Sequence, residues 1–269
     1  MGRVFNCLLK NVPPVPPVTI CINLEGKPIA MHATPIGKLV TAVCDRLVNV
    51  ITCVLHLEPR DTGVVAENLY AVRTGPVNFF IYRQAGAVIC FDTGFCRQLV
   101  LRELDKLGIP RESITHVFLT HSDIDHVDGL SLFKQAQVYL SADEEVMITR
   151  KKARLWGWVY NVPIKQQYHL LRDNEVVCIG STRIRAIATP GHTPGSMSYL
   201  LNDAVLISGD AFRVINNKIL HRRAYLTMNN EQQTASVRKL ASLPDVQRVC
   251  TGHSGTPQNF AELMAGWKQ

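Results

Sequence analysis

The chain has 269 residues, 46% of them apolar and 19% charged, with a formal net charge of +7. This length allows one large domain or two small ones, and the composition supports a sizeable core and excludes a disordered polyelectrolyte. The basic balance leans toward an anionic partner. The basic residues are scattered, however, and the short runs Arg150, Lys151, Lys152, Arg154 and His221, Arg222, Arg223 read as solvated surface, so no nucleic-acid partner is expected.

Met1–Lys10 lacks the cleavage pattern of a signal peptide, and the proline-rich Val12–Val18 reads as extended. Leu39–Leu57 is almost long enough to span a bilayer, but Asp45, Arg46 and Asn49 are costly at membrane depth. It reads as a partly buried helix or a helix at a homodimer contact, with membrane association not expected. The eight cysteines form no C-x-x-C pair, which disfavours a zinc ribbon and fits reduced thiols in a cytoplasmic protein.

Beyond Asn68 the elements become legible. Leu69–Arg73 and Val77–Arg83 predict strands joined at Thr74-Gly75-Pro76, and Ala87–Phe91 predicts a third that stops at Asp92-Thr93-Gly94. Arg97–Leu107 has helical apolar spacing, ended by Gly108 and Pro110. His116–Leu119 predicts a short buried strand, Val138–Leu140 another, and Ala142–Arg150 a helix. Arg183–Ala188, Ala204–Ile207 and Val246–Cys250 read as strands. Asn230–Leu243 reads as a helix with Asn230 and Gln233 as a capping pair, and Gln258–Trp267 as a closing helix. Strand-to-helix order repeated in two halves predicts a layered α/β protein.

Chemistry concentrates in loops that follow strands. Thr120–Gly129 holds His121, Asp123, Asp125 and His126 within six residues. Unpaired buried carboxylates are very costly, so such a cluster implies a divalent cation among them. Three further loops carry His192 between Gly191 and Pro194, Asp210 after Gly209, and His253 after Gly252. Each loop alone is weak evidence; the order of all four is specific.

That order resembles the metallo-β-lactamase superfamily, whose His-x-His-x-Asp-His, Gly-His, Gly-Asp and Gly-His motifs appear here as His121–His126, Gly191-His192, Gly209-Asp210 and Gly252-His253. The resemblance runs from about Asn68 to the C-terminus. It implies an αββα sandwich over residues 67–269, preceded by an unassigned, partly helical extension over 1–66. It also implies a dinuclear centre: His121, Asp123 and His192 on one ion, Asp125, His126 and His253 on the other, Asp210 bridging, and Asp92 orienting a ligand from behind. Asp123 departs from the family's usual histidine. Zinc is the expected ion at both positions; a carboxylate at 123 is a harder donor, which moves preference toward iron or manganese as the alternative, unless Asp123 is no ligand at all and one metal is left. Asp128 stands where the family often has glycine.

The resemblance implies a metal-dependent hydrolase acting on a small, possibly anionic ester, thioester or lactone, in the manner of glyoxalase II and lactonase-like members. Asp125 and Asp210 would serve the chemistry. Two alternatives stand beside it: a non-haem iron oxidoreductase resembling flavodiiron proteins or persulfide dioxygenases, and a non-catalytic metal-binding protein. Lys151–Gln167, with Trp156, Trp158 and Tyr160, reads either as a lid whose Trp158 touches substrate or as an aromatic patch packed on the core. Arg213 either reaches a substrate anion or is exposed.

Overall fold

Alternation of side chains along buried strands sorts the apolar residues of this chain into three layers, because successive residues of a strand face opposite sides of its sheet. The computed structural model describes residues 39, 42, 43, 46, 57–154, 156–220 and 224–268. The readings of Met1–Lys10, Val12–Val18, most of Leu39–Leu57 and the run His221–Arg223 lie outside the described residues, as do Cys7, Cys21, Cys44 and Cys53. Among the described residues no helix is long and apolar enough to cross a membrane.

The N-terminal half begins with four antiparallel strands, β1 (Gly63–Ala66), β2 (Leu69–Thr74), β3 (Val77–Gln84) and β4 (Ala87–Phe91). Helix α1 (Arg97–Lys106) then crosses over to β5 (His116–Phe118), which lies parallel to β4. The chain continues through α2 (Ile124–Val127), β6 (Gln137–Ser141), α3 (Glu145–Ile148) and β7 (Tyr168–Leu171), with β5, β6 and β7 parallel. These seven strands form one sheet in sequence order. Strand β1 lies on the N-terminal side of the expected 66/67 boundary and pairs with β2.

The C-terminal half comprises β8 (Val176–Ile179), β9 (Thr182–Ala188), β10 (Met197–Leu201), β11 (Val205–Gly209), a small ribbon of β12 (Arg213–Ile215) and β13 (Lys218–Leu220), helix α4 (Asn230–Ala241), β14 (Arg248–Thr251) and α5 (Phe260–Leu263). Its sheet runs β14-β11-β10-β9-β8, with β14 parallel to β11 and the rest antiparallel.

The inner faces of the two sheets meet through Phe80, Ile89, Phe91 and Phe118 on one side and Ile184, Met197, Tyr199 and Ile207 on the other. Alternate residues of the same strands point outward. Phe79, Ile81, Cys90 and Val117 pack with Val100 and Leu104 of α1, while Leu200, Leu206 and Val249 pack with Val237 and Leu240 of α4. Helix, sheet, sheet and helix are thus stacked as an αββα sandwich. Strands buried on both faces explain why their sequences are continuous apolar runs.

Helix α4 is capped one residue earlier than the sequence suggested. The Asn229 side chain accepts a 3.0 Å bond from the Gln232 amide, so Asn230 and Gln233 are not the capping pair. Gln233 is instead buried and donates to the Asp210 carbonyl at 3.3 Å.

Aromatic packing joins the sheets directly below the ligand loops. The Phe118 ring stacks on Tyr139 at 4.4 Å and meets the Tyr199 ring edge-on at 5.3 Å. The buried Tyr199 hydroxyl donates to the Leu119 carbonyl at 2.7 Å, two residues before His121. Tyr199→Phe is expected to cost about 1–3 kcal/mol, the usual range for stranding a buried acceptor, with unfolding still cooperative in a urea titration.

Candidate metal centre

Each candidate ligand lies just past the end of a strand, and the four strand ends open at one edge of the sandwich. His121, Asp123, Asp125 and His126 follow β5, His192 follows β9, Asp210 follows β11 and His253 follows β14. Ligands scattered over 133 residues of chain therefore converge because parallel β4, β5 and β6, and parallel β11 and β14, end together.

Ligand atoms gather in two groups. One is His121, His192 and Asp210; the other is Asp125, His126 and His253; within each, the donor atoms lie within 4.8 Å of one another. Asp210 faces both groups. Its Oδ1 is 3.6 Å from His126 Nε2 and 3.3 Å from His253 Nε2, and its Oδ2 is 3.4 Å from His192 Nε2. The Nε2 atoms of His121 and His126 are buried and meet no hydrogen-bond donor or acceptor among the described residues. Buried polar atoms rarely stay so unless something else satisfies them. This donor set fits divalent ions.

Hydrogen bonds behind the imidazoles turn these nitrogens inward. His126 Nδ1 donates to Asp92 Oδ2 at 2.8 Å, and His253 Nδ1 donates to the Pro76 carbonyl at 2.6 Å. Thr120 Oγ1 donates to Asp92 Oδ2 at 2.8 Å, so at 3.0 Å it accepts from His121 Nδ1. A ring nitrogen that carries its proton on the outer side presents a lone pair on the inner side, as ligation requires. Asp92 adopts a left-handed backbone (φ 63°) and also accepts from the Thr120 amide at 2.7 Å.

The electrostatics suit a cation. Burial opposes charge on His126, but Asp92, Asp125 and Asp210 outweigh it and push its pKa up to about 10, so an ion bound at Nε2 would take the place of a proton that the same carboxylates hold there. Burial also opposes ionisation of Asp125, yet His126 and His253 hold it well below the usual carboxylate range. Burial keeps His192 neutral, pushed down to about 4.

Asp123 sits beside the first group, 3.1 Å from His192 Nε2 and 3.6 Å from His121 Nε2, but both of its oxygens are engaged by Arg154. Arg154 Nε lies 2.7 Å from Oδ1 and Nη2 lies 2.8 Å from Oδ2. Asn161 adds a 3.2 Å bond to Oδ1. Arg154 is only 6% exposed, which corrects its reading as solvated surface. Its Nη2 also donates to the Leu226 carbonyl at 2.8 Å, and its Nη1 meets no acceptor among the described residues.

The 151–167 insertion therefore serves the site through different residues from those the aromatics suggested. Trp156 and Trp158 stack on each other at 5.8 Å and are 76% and 70% exposed. Neither lines the pocket of about 330 Å³ over the ligands, and Arg213 does not line it either. Val159, Tyr160, Asn161 and Val162 do, together with Leu57, Pro76, Ile124 and Leu226. Asp128 lies away from the ligands, 3.9 Å from Arg97.

Glu144 was not readable as a site residue. It is fully buried and accepts from the Ser122 amide (2.9 Å) and hydroxyl (2.6 Å), the Thr193 hydroxyl (2.7 Å) and the Gly195 amide (3.0 Å). One carboxyl thus ties the His121 loop to the His192 loop. Burial pushes its pKa up, against the pull of His121 and those donors. Gly195 passes so close that an added Cβ would overlap the Glu144 backbone.

Two substitutions test these supports. Asp92→Asn is expected to lower divalent-metal affinity 10–100-fold with the fold intact, read by competition against a chromogenic chelator. Glu144→Gln puts a donor amide among donors. It is expected to cost about 1–3 kcal/mol in denaturant unfolding and to weaken metal binding in the same competition.

Comparison with known proteins agrees with this geometry. The family model of the Metallo-beta-lactamase superfamily matches residues 72–253. The chain is 30% identical over 190 residues to the uncharacterized protein YobT of Bacillus subtilis, covering 62% of this chain and 78% of that one. It is 31% identical over 148 residues to a hydroxyacylglutathione hydrolase of Brucella anthropi, covering 55% of this chain and half of that relative's length. In structure it is similar to BJP-1, a subclass B3 metallo-beta-lactamase of Bradyrhizobium japonicum, with a TM-score of 0.61 and 18% identity over 80% of this chain and 92% of that one. With its fold, its two ligand groups and a family match over most of its length, the chain belongs to the metallo-β-lactamase superfamily of metal-dependent hydrolases, with aspartate where the usual second histidine stands.

Proposed function

We propose that this protein hydrolyses a small ester, thioester or lactone at its two-metal centre, with zinc as the resident ion. The observation that carries the reading is the pair of ligand groups sharing Asp210 at the floor of one pocket. When bound, two divalent ions supply an acidified water and polarise a substrate oxygen. His121, His192 and Asp210 would hold one ion, and Asp125, His126 and His253 the other.

The chain's own residues do the rest. At about 330 Å³ the pocket lies at the small end of ligand sites, which suits a compact substrate. Leu57, Pro76, Val159 and Val162 give it apolar walls for an acyl or alkyl group. Asp125 lines the pocket and is 28% exposed, so it is placed to carry a proton to a leaving group. Arg154 also lines the pocket, with its charge already paired to Asp123. The relative named hydroxyacylglutathione hydrolase supports acyl transfer to water, although the chain spans half its length. Preference for iron or manganese needs Asp123 on the ion, and the pairing of Asp123 with Arg154 weakens that argument.

A second reading has one specific observation behind it. His121, His192 and Asp210 form a two-histidine, one-carboxylate set of the kind that holds iron for oxygen chemistry. Iron in the purified protein with oxygen uptake on a persulfide would favour it.

The test is an ester, thioester and lactone panel on metal-replete protein. Turnover should stop with chelator and return with zinc. His121→Ala and Asp210→Ala should each lose at least 100-fold in kcat/KM, while His169→Ala, an exposed strand residue away from the ligands, should change it less than twofold. Turnover that survives both ligand changes would exclude the proposal.

A further inference from the structure

We propose that the turn between Arg154 and Val159 docks this protein on an anionic lipid surface, with Trp156 and Trp158 entering the interfacial layer and Arg150, Lys151 and Lys152 meeting the headgroups. The contact is peripheral and involves no metal ligand, so it stands or falls apart from the hydrolase reading. Membrane association was not expected from residues 39–57, and this contact uses other residues.

The turn has buried ends and an exposed middle. Its backbone closes where the Arg154 amide donates to the Val159 carbonyl at 2.6 Å. Arg154 and Asn161 are both buried and both fixed on the His121 loop: Arg154 holds Asp123, and Asn161 Nδ2 donates to Ser122 Oγ at 2.7 Å and to Asp123 Oδ1 at 3.2 Å. Between these anchors Trp156 (φ 51°) and Gly157 (φ 75°) take left-handed backbone, which a bulky side chain rarely adopts unless its surroundings impose it. The two tryptophans stack on each other outside the core instead of packing into it. Tyr160, Val162 and Ile124 are exposed as well and line the pocket, so the apolar patch runs from the tip of the turn to the pocket. Single exposed apolar residues are ordinary, but a continuous patch of them marks an interaction surface.

Charge selects the occupant. Arg150, Lys151 and Lys152 are exposed, and no ion pair between them and an acidic side chain occurs among the described residues. They precede Trp156 by at most about 22 Å of extended chain. The backbone amides of Arg150 and Lys152 donate to the Met147 and Val146 carbonyls, which holds the run against helix α3. Tryptophan rings settle at headgroup level, and neighbouring cations are drawn to anionic lipid while their stems lie along apolar surface. A second copy of the chain fits less well. The five exposed apolar side chains offer on the order of 500 Å² together, against about 800 Å² per partner in a stable interface. Pairing the patch with itself would also bring two basic runs together. An acidic protein would need a hollow shaped for two stacked rings, whereas a bilayer interface accepts them without a fixed shape.

The experiment is co-sedimentation of the full chain with vesicles of phosphatidylcholine alone and of a two-to-one mixture of phosphatidylcholine and phosphatidylserine, with tryptophan emission read in parallel on vesicles carrying brominated acyl chains. Binding is expected on the mixed vesicles, about tenfold weaker or less on phosphatidylcholine alone, and falling as salt rises. Emission should shift to the blue and be quenched by the brominated chains. The double variant Trp156→Ser, Trp158→Ser should bind about tenfold more weakly or worse, and its remaining Trp267 emission should not be quenched. Lys151→Glu with Lys152→Glu should lose the preference for phosphatidylserine. All four positions are exposed, and circular dichroism would verify that each variant is folded. No binding to the mixed vesicles, equal binding to both compositions, or undiminished binding by the folded tryptophan variant would each overturn the proposal. So would a dimer in sedimentation velocity that the tryptophan variant dissolves, which would assign the patch to a second copy. Ester, thioester or lactone turnover on soluble substrates is measured separately, so failure here leaves the hydrolase reading intact.

Discussion

Buried negative charge is the constraint on which the site depends. Asp92, Glu144 and Asp210 are almost fully buried, and Asp123 and Asp125 are mostly so. An ionised carboxylate removed from water costs several kcal/mol unless it is paired or fully hydrogen-bonded. The protein meets this demand differently at each carboxylate. Glu144 is satisfied by four donors, Asp92 by Thr120 and the His126 ring, and Asp123 by Arg154 and Asn161. Asp125 and Asp210 face the Nε2 atoms of His126 and His253, an arrangement that suits a cation held among them.

The fold makes this possible by separating rigidity from chemistry. The sandwich supplies strand ends that do not move, because both faces of each central strand are packed and the two sheets are joined by the Phe118 and Tyr199 rings. Short loops then place one or a few ligands each. Gly252 shows how tight the placement is: a Cβ there would meet Asp210 Oδ1 at 2.7 Å and the His126 ring at 3.0 Å. Single hydrogen bonds of about 1 kcal/mol would not hold like charges together. A set of them, each anchored on buried backbone, can.

Much of this was legible in the sequence, and the reason is physical. Central strands buried on both faces must be apolar throughout, so β3, β4, β5 and β11 stand out, and the ligand loops follow them directly. Edge and ribbon strands lack that signal. β8 alternates between exposed and half-buried residues, and β12 and β13 are three residues each. Strand β10 is fully buried but follows the Pro/Gly-rich loop without a break that marks its start. All seven expected ligand residues meet at one place, although Asp123 spends its oxygens on Arg154. The supports were hidden because residue type misleads where tertiary structure decides. Glu144 lies in Ser141-Ala142-Asp143-Glu144-Glu145, which reads as a solvated acidic helix start, and Arg154 lies in a basic run. Trp158 and Arg213 drew attention by their chemistry, yet neither reaches the pocket.

Arg154 also explains how the chain tolerates its departure from the family pattern. Histidine at position 123 would be neutral, so aspartate adds a negative charge to a site that already holds Asp125 and Asp210. Left unpaired, that charge would be expected to cost about 3–5 kcal/mol, as in a buried ion pair broken from one side. The 151–167 insertion offsets it by carrying Arg154 and Asn161 inward while its tryptophans stay outside. The aspartate and the 151–167 segment are therefore coupled in this structure. Either alone would leave a buried charge uncompensated; together they keep the local charge near that of a histidine while replacing a potential ligand with a fixed ion pair.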